Sequence, residues 1–220
     1  MIHQYWQKKR LLVLSIIAAT SFLLNITSSS MVNAKLFDGP VDRLPLEERV
    51  SLRRGELVFT GSDGNYVSRL LITTSLDNAW QVLTDYENFA DFLPGVTSSE
   101  LLESTGDRKV FEQTNKIKTL VFSIESRVQV ATTETYPEQI AFQAVDGDLE
   151  TMDGTWMLEA VSPYPSAPPD RVLLTHKVMV EPANAPSNGI FFSIYEDRLQ
   201  ETLEAIKTEA ERRSTVVNNY

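Results

Sequence analysis

Hydrophobic and polar positions along the chain change period several times. "ELVFT" (56–60) and "YVSRLLITT" (66–74) alternate or run apolar with β-branched residues, and "GSDG" (61–64) between them signals a turn, so the pair reads as a hairpin. Ser75 then opens "SLDNAWQVLTDY", where Ala79, Val82 and Leu83 fall at helical spacing. Serine caps a helix N-terminus well and Asp77 suits its positive first turn, which predicts a helix over 76–85. A second short helix, "ENFADFL" (87–93), must stop at Pro94-Gly95. Strand-like runs follow at 97–104, 109–117, 121–136, 138–145 and 154–161, with turn signals in "TGDR", "YPEQ" and "DGDLETMDG". The Pro-rich loop "PYPSAPPD" (163–170) leads to a last strand, "RVLLTHKVMVEP" (171–182). A long helix is predicted over 190–213, with Phe192, Tyr195, Leu199, Leu203, Ile206 and Ala210 on one stripe.

This order predicts an α+β fold: an antiparallel sheet of about seven strands, two short helices, and a long C-terminal helix across the sheet. One amphipathic helix covers only part of a sheet face. The remainder must be closed by something else or left as a cavity. The two short helices are the natural plug, which places Tyr86, Phe89 and Phe92 as an apolar wall at the cavity mouth. Breaks at Asp85-Tyr86 and Pro94-Gly95 would let the same segment act as a lid.

The first 34 residues read as something other than the fold. Lys8, Lys9 and Arg10 precede the uncharged apolar run 11–24, and "MVNA" (31–34) ends with small residues at Val32 and Ala34. That is the anatomy of a cleaved secretory signal peptide, with an uncleaved membrane anchor as the alternative. The apolar run is short beside the roughly 20 residues a bilayer span needs. Export to a periplasm or a thylakoid lumen is the expectation. Residues 35–55 read as a lead-in segment with one helical turn near "PLEERV", 56–213 as the domain and 214–220 as a fraying tail.

Charge and composition narrow the function. The chain is 42% hydrophobic and 23% charged, as globular proteins are, with a formal charge of −10. Residues 1–34 hold three basic residues and no acid, so the remainder carries −13. That argues against nucleic acid and against charge-driven docking on anionic lipid. There is no cysteine, which excludes disulfides, thiol nucleophiles and thiolate metal sites. No P-loop, G-x-G-x-x-G or G-x-S-x-G is present, and no cofactor is expected. Asp146, Asp148, Glu150 and Asp153 could offer calcium several oxygens, but their spacing is not that of an EF-hand. Glu112, Glu125 and Arg127 read as outward cross-strand charges. Glu196 and Arg198 flank the stripe of the long helix, where a bridge from there to the 146–148 turn competes with a solvated face.

His176 is the one histidine beyond residue 34. It alternates with Val172, Leu174, Val178 and Val180 and should face inward, either as a core histidine or as a partner for a ligand carbonyl. Trp156 shares an alternating face with Leu158 and Ala160, and Phe142 behaves alike with Ile140.

"AWQVLTDYENFADFLPGV" (79–96) resembles the signature of the polyketide cyclase/dehydrase and coenzyme Q-binding proteins of the START-like (SRPBCC) superfamily. "VDGDLETMDGTWML" (145–158) is similar to the family's acidic turn followed by Gly-x-Trp, and "FFSIYEDRLQETLEAIKTEAE" (191–211) to its C-terminal helix. The resemblance covers residues 66–212 and implies the helix-grip fold. It also implies a hydrophobic small-molecule ligand. The leading reading is a carrier for a lipid, quinone, isoprenoid or pigment, held between sheet and long helix by Tyr86, Phe89, Phe92, Phe142, Trp156, His176, Phe192 and Tyr195. Such a carrier is expected to be a monomer that touches a membrane only transiently, during exchange. The alternatives are a cyclase or dehydratase using His176, with Tyr86, as acid/base, and an interaction module with a filled core.

Overall fold

The computed structural model describes residues 38–118, 123–183 and 187–217. The signal-peptide reading of residues 1–34 lies outside the described residues. Eight strands form one antiparallel sheet: β1 Val58–Ser62, β2 Asn65–Ile72, β3 Val96–Thr105, β4 Arg108–Lys118, β5 Ser123–Thr135, β6 Gln139–Gly147, β7 Leu149–Val161 and β8 Arg171–Pro182. Their order is β1-β2-β8-β7-β6-β5-β4-β3. The count exceeds the expected value of about seven because both strands of the leading hairpin belong to the main sheet. β2 pairs along its whole length with β8, a long-range contact that local pattern does not reveal.

Directly paired residues share a sheet face. One cross-strand row therefore carries Ser68, His176, Trp156, Ile140 and Glu134 on the inner face, across β2, β8, β7, β6 and β5. Above this face lies α4, Asn188–Val217. Its stripe Leu199, Leu203, Ile206 and Ala210 is buried in one core with residues such as Leu70, Ile72, Leu158 and Leu174. Each such leucine contributes about 1.5–3 kcal/mol by leaving water.

The lead-in folds as more than one turn. Pro45 sets the entry to α1, Leu46–Arg53, and Glu47 and Glu48 complement its positive end. Leu52 is buried, and with Val41 it joins Val58, Leu71, Val161 and Leu173 in a second small core on the outer face of the sheet. Glu48 accepts from Arg69 at 2.8 Å beside it. This tertiary burial supplies what eight residues of helix lack alone.

Helix α2, Leu76–Leu83, starts as expected: the Ser75 hydroxyl accepts from the Asn78 N–H at 3.2 Å. It stops two residues early, where the Thr84 hydroxyl bonds back to the Trp80 carbonyl at 3.0 Å. The Asn78 side chain donates to the Ala210 carbonyl at 2.7 Å and ties α2 to α4. A 3₁₀ turn, Tyr86–Asn88, and the short α3, Phe89–Phe92, follow. The acidic stretch after β6 is less of a turn than it reads. The chain reverses at Gly147, with φ +122°, and β7 resumes at Leu149. A Cβ at Gly147 would stand 2.2 Å from the Arg127 carbonyl oxygen, so the tight crossing requires glycine.

Candidate ligand-binding site

His176 sits inward on β8, as its alternation predicts, and is only 3% exposed. Its ring lies against Trp156, with centroids 3.9 Å apart, and runs parallel to Phe142 at 5.6 Å and 5°. Phe142 belongs to β6, and β7 runs between the two strands. Gly154 makes the contact possible. It pairs with both Phe142 and Val178, and a Cβ there would approach Phe142 Cζ to 2.6 Å and the Lys177 carbonyl oxygen to 2.1 Å. The Gly-x-Trp spacing thus opens a gap for the Phe142 ring and, two residues on, sets Trp156 on the same face.

Two polar atoms in this row have no hydrogen-bond partner: His176 Nδ1 and the hydroxyl of Ser68, its fully buried neighbour on β2. Burial pushes the His176 pKa down to about 3, so the imidazole is neutral at ordinary pH. An unsatisfied buried polar group costs about 1–3 kcal/mol.

On the helix side, Tyr195 stacks on Tyr66 at 5.8 Å and on Phe191 at 5.9 Å. Burial raises both tyrosine pKa values. The Tyr66 hydroxyl donates to Glu196 at 2.9 Å and accepts from the Gly64 N–H at 3.2 Å. Phe191 packs against the main core, a position the stripe missed although it stands one turn before Tyr195. Phe192 instead lies over the hairpin turn, its Cε1 3.1 Å from where a Gly64 Cβ would be.

The short helices form a separate aromatic cluster. Tyr86 stacks on Phe111 at 4.7 Å, Phe89 meets both edge-on, and Phe92 meets Phe89 edge-on at 5.8 Å. Tyr86 and Phe89 are buried and Phe92 is half-buried. The Tyr86 hydroxyl donates to Glu134 at 2.8 Å and contacts the Thr132 hydroxyl at 3.3 Å. Arg213 of α4 fastens this segment: it bonds Asp85 at 2.8 Å and Glu209 at 2.6 Å, with its guanidinium 5.6 Å from the Phe92 ring centre.

A curved sheet gripping one long helix, with an aromatic inner face, can be compared with known proteins. The family described as polyketide cyclase / dehydrase and lipid transport matches residues 72–207. The chain belongs to that family. Several solved structures share the fold of this polyketide cyclase / dehydrase and lipid transport family member. A STAR-related lipid transfer protein from Xanthomonas axonopodis aligns with a TM-score of 0.55 and 16% identity, covering 70% of this chain and 92% of that one. The aromatase/cyclase Zhui from a Streptomyces species gives 0.53 and 17%, covering 72% and 96%. A START superfamily protein from Mycobacterium smegmatis gives 0.52 and 16%, covering 73% and 98%. No curated protein matches the sequence.

The charged candidates of this family member lie elsewhere. Arg127 on the outer face donates to Glu112 at 2.6 Å and to Asp146 at 2.8 Å, which raises its own pKa and lowers that of Asp146, while Glu112 is lowered by hydrogen bonds from Gln129 and then Arg127. Asp148 accepts from the Arg127 N–H. Among the described residues no three acidic or histidine side chains converge as metal ligands. Asp146 and Asp148 belong instead to the Arg127 network. Glu125 lies 3.9 Å from Lys116 on the neighbouring strand. Glu196 does not bridge to the 146–148 turn. Its partner is Tyr66, while Arg198 pairs with Glu201 at 2.6 Å.

Proposed function

We propose that this protein is a non-enzymatic carrier that holds one apolar small molecule between the inner sheet face and α4. One observation carries the reading: Ser68 and His176 keep two unpartnered polar atoms on directly paired positions of β2 and β8, beside Trp156 and Phe142, in a row whose only charged member is Glu134 at its far end. A binding site for an apolar molecule combines such a lining with a few polar groups that fix orientation. The stacked Tyr66, Tyr195 and Phe191 supply further apolar surface from the helix side. Burial of ligand surface, at about 25 cal/mol per Å², provides the driving force. The family's lipid transport members and the Xanthomonas lipid transfer protein support the same direction.

The cyclase or dehydratase reading has less support. A general base works best with a pKa near the operating pH, and His176 is held at about 3 with no carboxylate bonded to it. Export by the 1–34 segment is part of the proposal, and fractionation of the native host tests it.

The carrier reading is tested by purifying the full chain from its own host without detergent, followed by native mass spectrometry and an organic extract. A stoichiometric apolar adduct is the expected result. A clean apo mass, with no uptake from a panel of lipids and quinones, would leave the filled-core interaction module.

A further inference from the structure

Within the carrier reading, on which this inference rests, the charges around the site select among ligands. On β2, β8, β7 and β6 the described inward positions hold no Lys, Arg, Asp or Glu. Among the described residues, charged groups stand at the margins, and each of the following has at least one polar partner. Glu134 ends the Ser68–His176–Trp156 row and accepts from Tyr86. Glu196 accepts from Tyr66. Lys109, on the inward parity of β4, donates to the Gly106 carbonyl at 2.8 Å. Arg198 is held by Glu201 through Nη1, although its Nε is buried without a partner. Arg213 is shared between Asp85 and Glu209.

An anionic head group beside His176 would therefore meet a neutral imidazole, a serine hydroxyl and a row that ends in a carboxylate. A charge buried there would lose its hydration with no counter-charge to compensate it. An uncharged oxygen is suited to the same place. A neutral imidazole offers one donor and one acceptor nitrogen, and a serine hydroxyl offers both functions. We propose that the ligand is an uncharged apolar molecule bearing a hydroxyl or carbonyl group, which Ser68 and His176 receive together, and that fatty acids and anionic phospholipids are rejected.

Matched trios of probes test this on the full chain at neutral pH: butylpyrene, pyrenebutanol and pyrenebutanoate, then farnesene, farnesol and farnesoate. Binding is read by quenching of tryptophan fluorescence. The alcohol should bind roughly three- to tenfold more tightly than its hydrocarbon, the worth of a neutral hydrogen bond. The carboxylate should bind at least about tenfold more weakly than the alcohol. A Ser68→Ala, His176→Leu double variant, with its fold checked by far-ultraviolet circular dichroism and thermal unfolding, should lose the preference for alcohol over hydrocarbon. If that variant does not fold, Ser68→Ala alone should reduce the preference. A carboxylate that matches the alcohol, above all one whose affinity falls in Arg198→Gln, overturns the proposal and leaves the carrier reading intact. Alcohol preference that survives in the folded variants does the same. If none of the six probes binds, the carrier reading fails and the inference falls with it.

Discussion

Phe142 lies parallel to His176, 5° between ring planes, across the full width of an intervening strand. The stack exists because Gly154 removes the one side chain that would stand between them. Gly154→Ala should therefore displace the Phe142 ring and press on the β8 backbone, an overpacking cost of about 1–3 kcal/mol. Thermal unfolding should show a clear fall in Tm. The His176 ring protons should lose the part of their ring-current shift that comes from Phe142, while Trp156 keeps its own contribution. An unchanged Tm and spectrum would mean that the glycine is not what permits the stack.

His176 also sets a pH dependence. Its folded pKa, about 3, lies below the usual value of 6.5, so the unfolded chain binds the extra proton. The stability it contributes is complete above pH 6.5 and declines as pH falls from there toward 3. The limiting slope is about 1.4 kcal/mol per pH unit. Glu209, lowered to about 2 chiefly by its hydrogen bond to Arg212, adds loss in the same direction only below the ordinary carboxylate range. Denaturant melts between pH 6.5 and 5 should thus lose most of their slope in His176→Leu. An equal slope in both proteins would contradict the buried neutral imidazole.

Tyr86 is fastened through its hydroxyl to Glu134 and Thr132. Tyr86→Phe keeps the stack on Phe111 and removes those bonds, at a cost of about 1–2 kcal/mol. Urea unfolding should register the loss while near-ultraviolet circular dichroism retains the aromatic signature. A variant as stable as the parent would show that the hydroxyl contributes nothing net.

Arg213 joins the two covers of the inner face, α4 and the Asp85–Phe92 segment. Both members of the Arg213–Asp85 pair are partly solvated, so Arg213→Met should lower stability by only about 1 kcal/mol. The local effect should be larger. Amide hydrogen exchange over residues 86–93 should accelerate several-fold, and probe release with it. Exchange confined to global unfolding in both proteins would refute the fastening role.

Much of this architecture was legible locally. The Ser75 cap, the stop at Pro94-Gly95, the inward set of His176 and the stripe from Leu199 to Ala210 each rest on spacing within one element. What escaped the sequence rests on register between distant strands. Gly154 reads as part of a turn until β6 and β8 are set on either side of it. Residues 172–176 are buried on both faces, so their pattern does not announce that α1 covers one of them through Leu52. Phe191 was missed because it and Phe192 compete for one helical stripe. Whether Tyr86 keeps a free hydroxyl depended on Glu134, which reads as an ordinary exposed acid.

The pairing of β2 with β8 also dictates when the molecule can form. Ser68 leaves the ribosome about a hundred residues before His176, its cross-strand neighbour. Until β8 emerges, the leading hairpin has no sheet to join. This one long-range pairing raises the contact order and should slow the completion of the sheet. Throughout that interval β2 lacks the strand that satisfies its second edge.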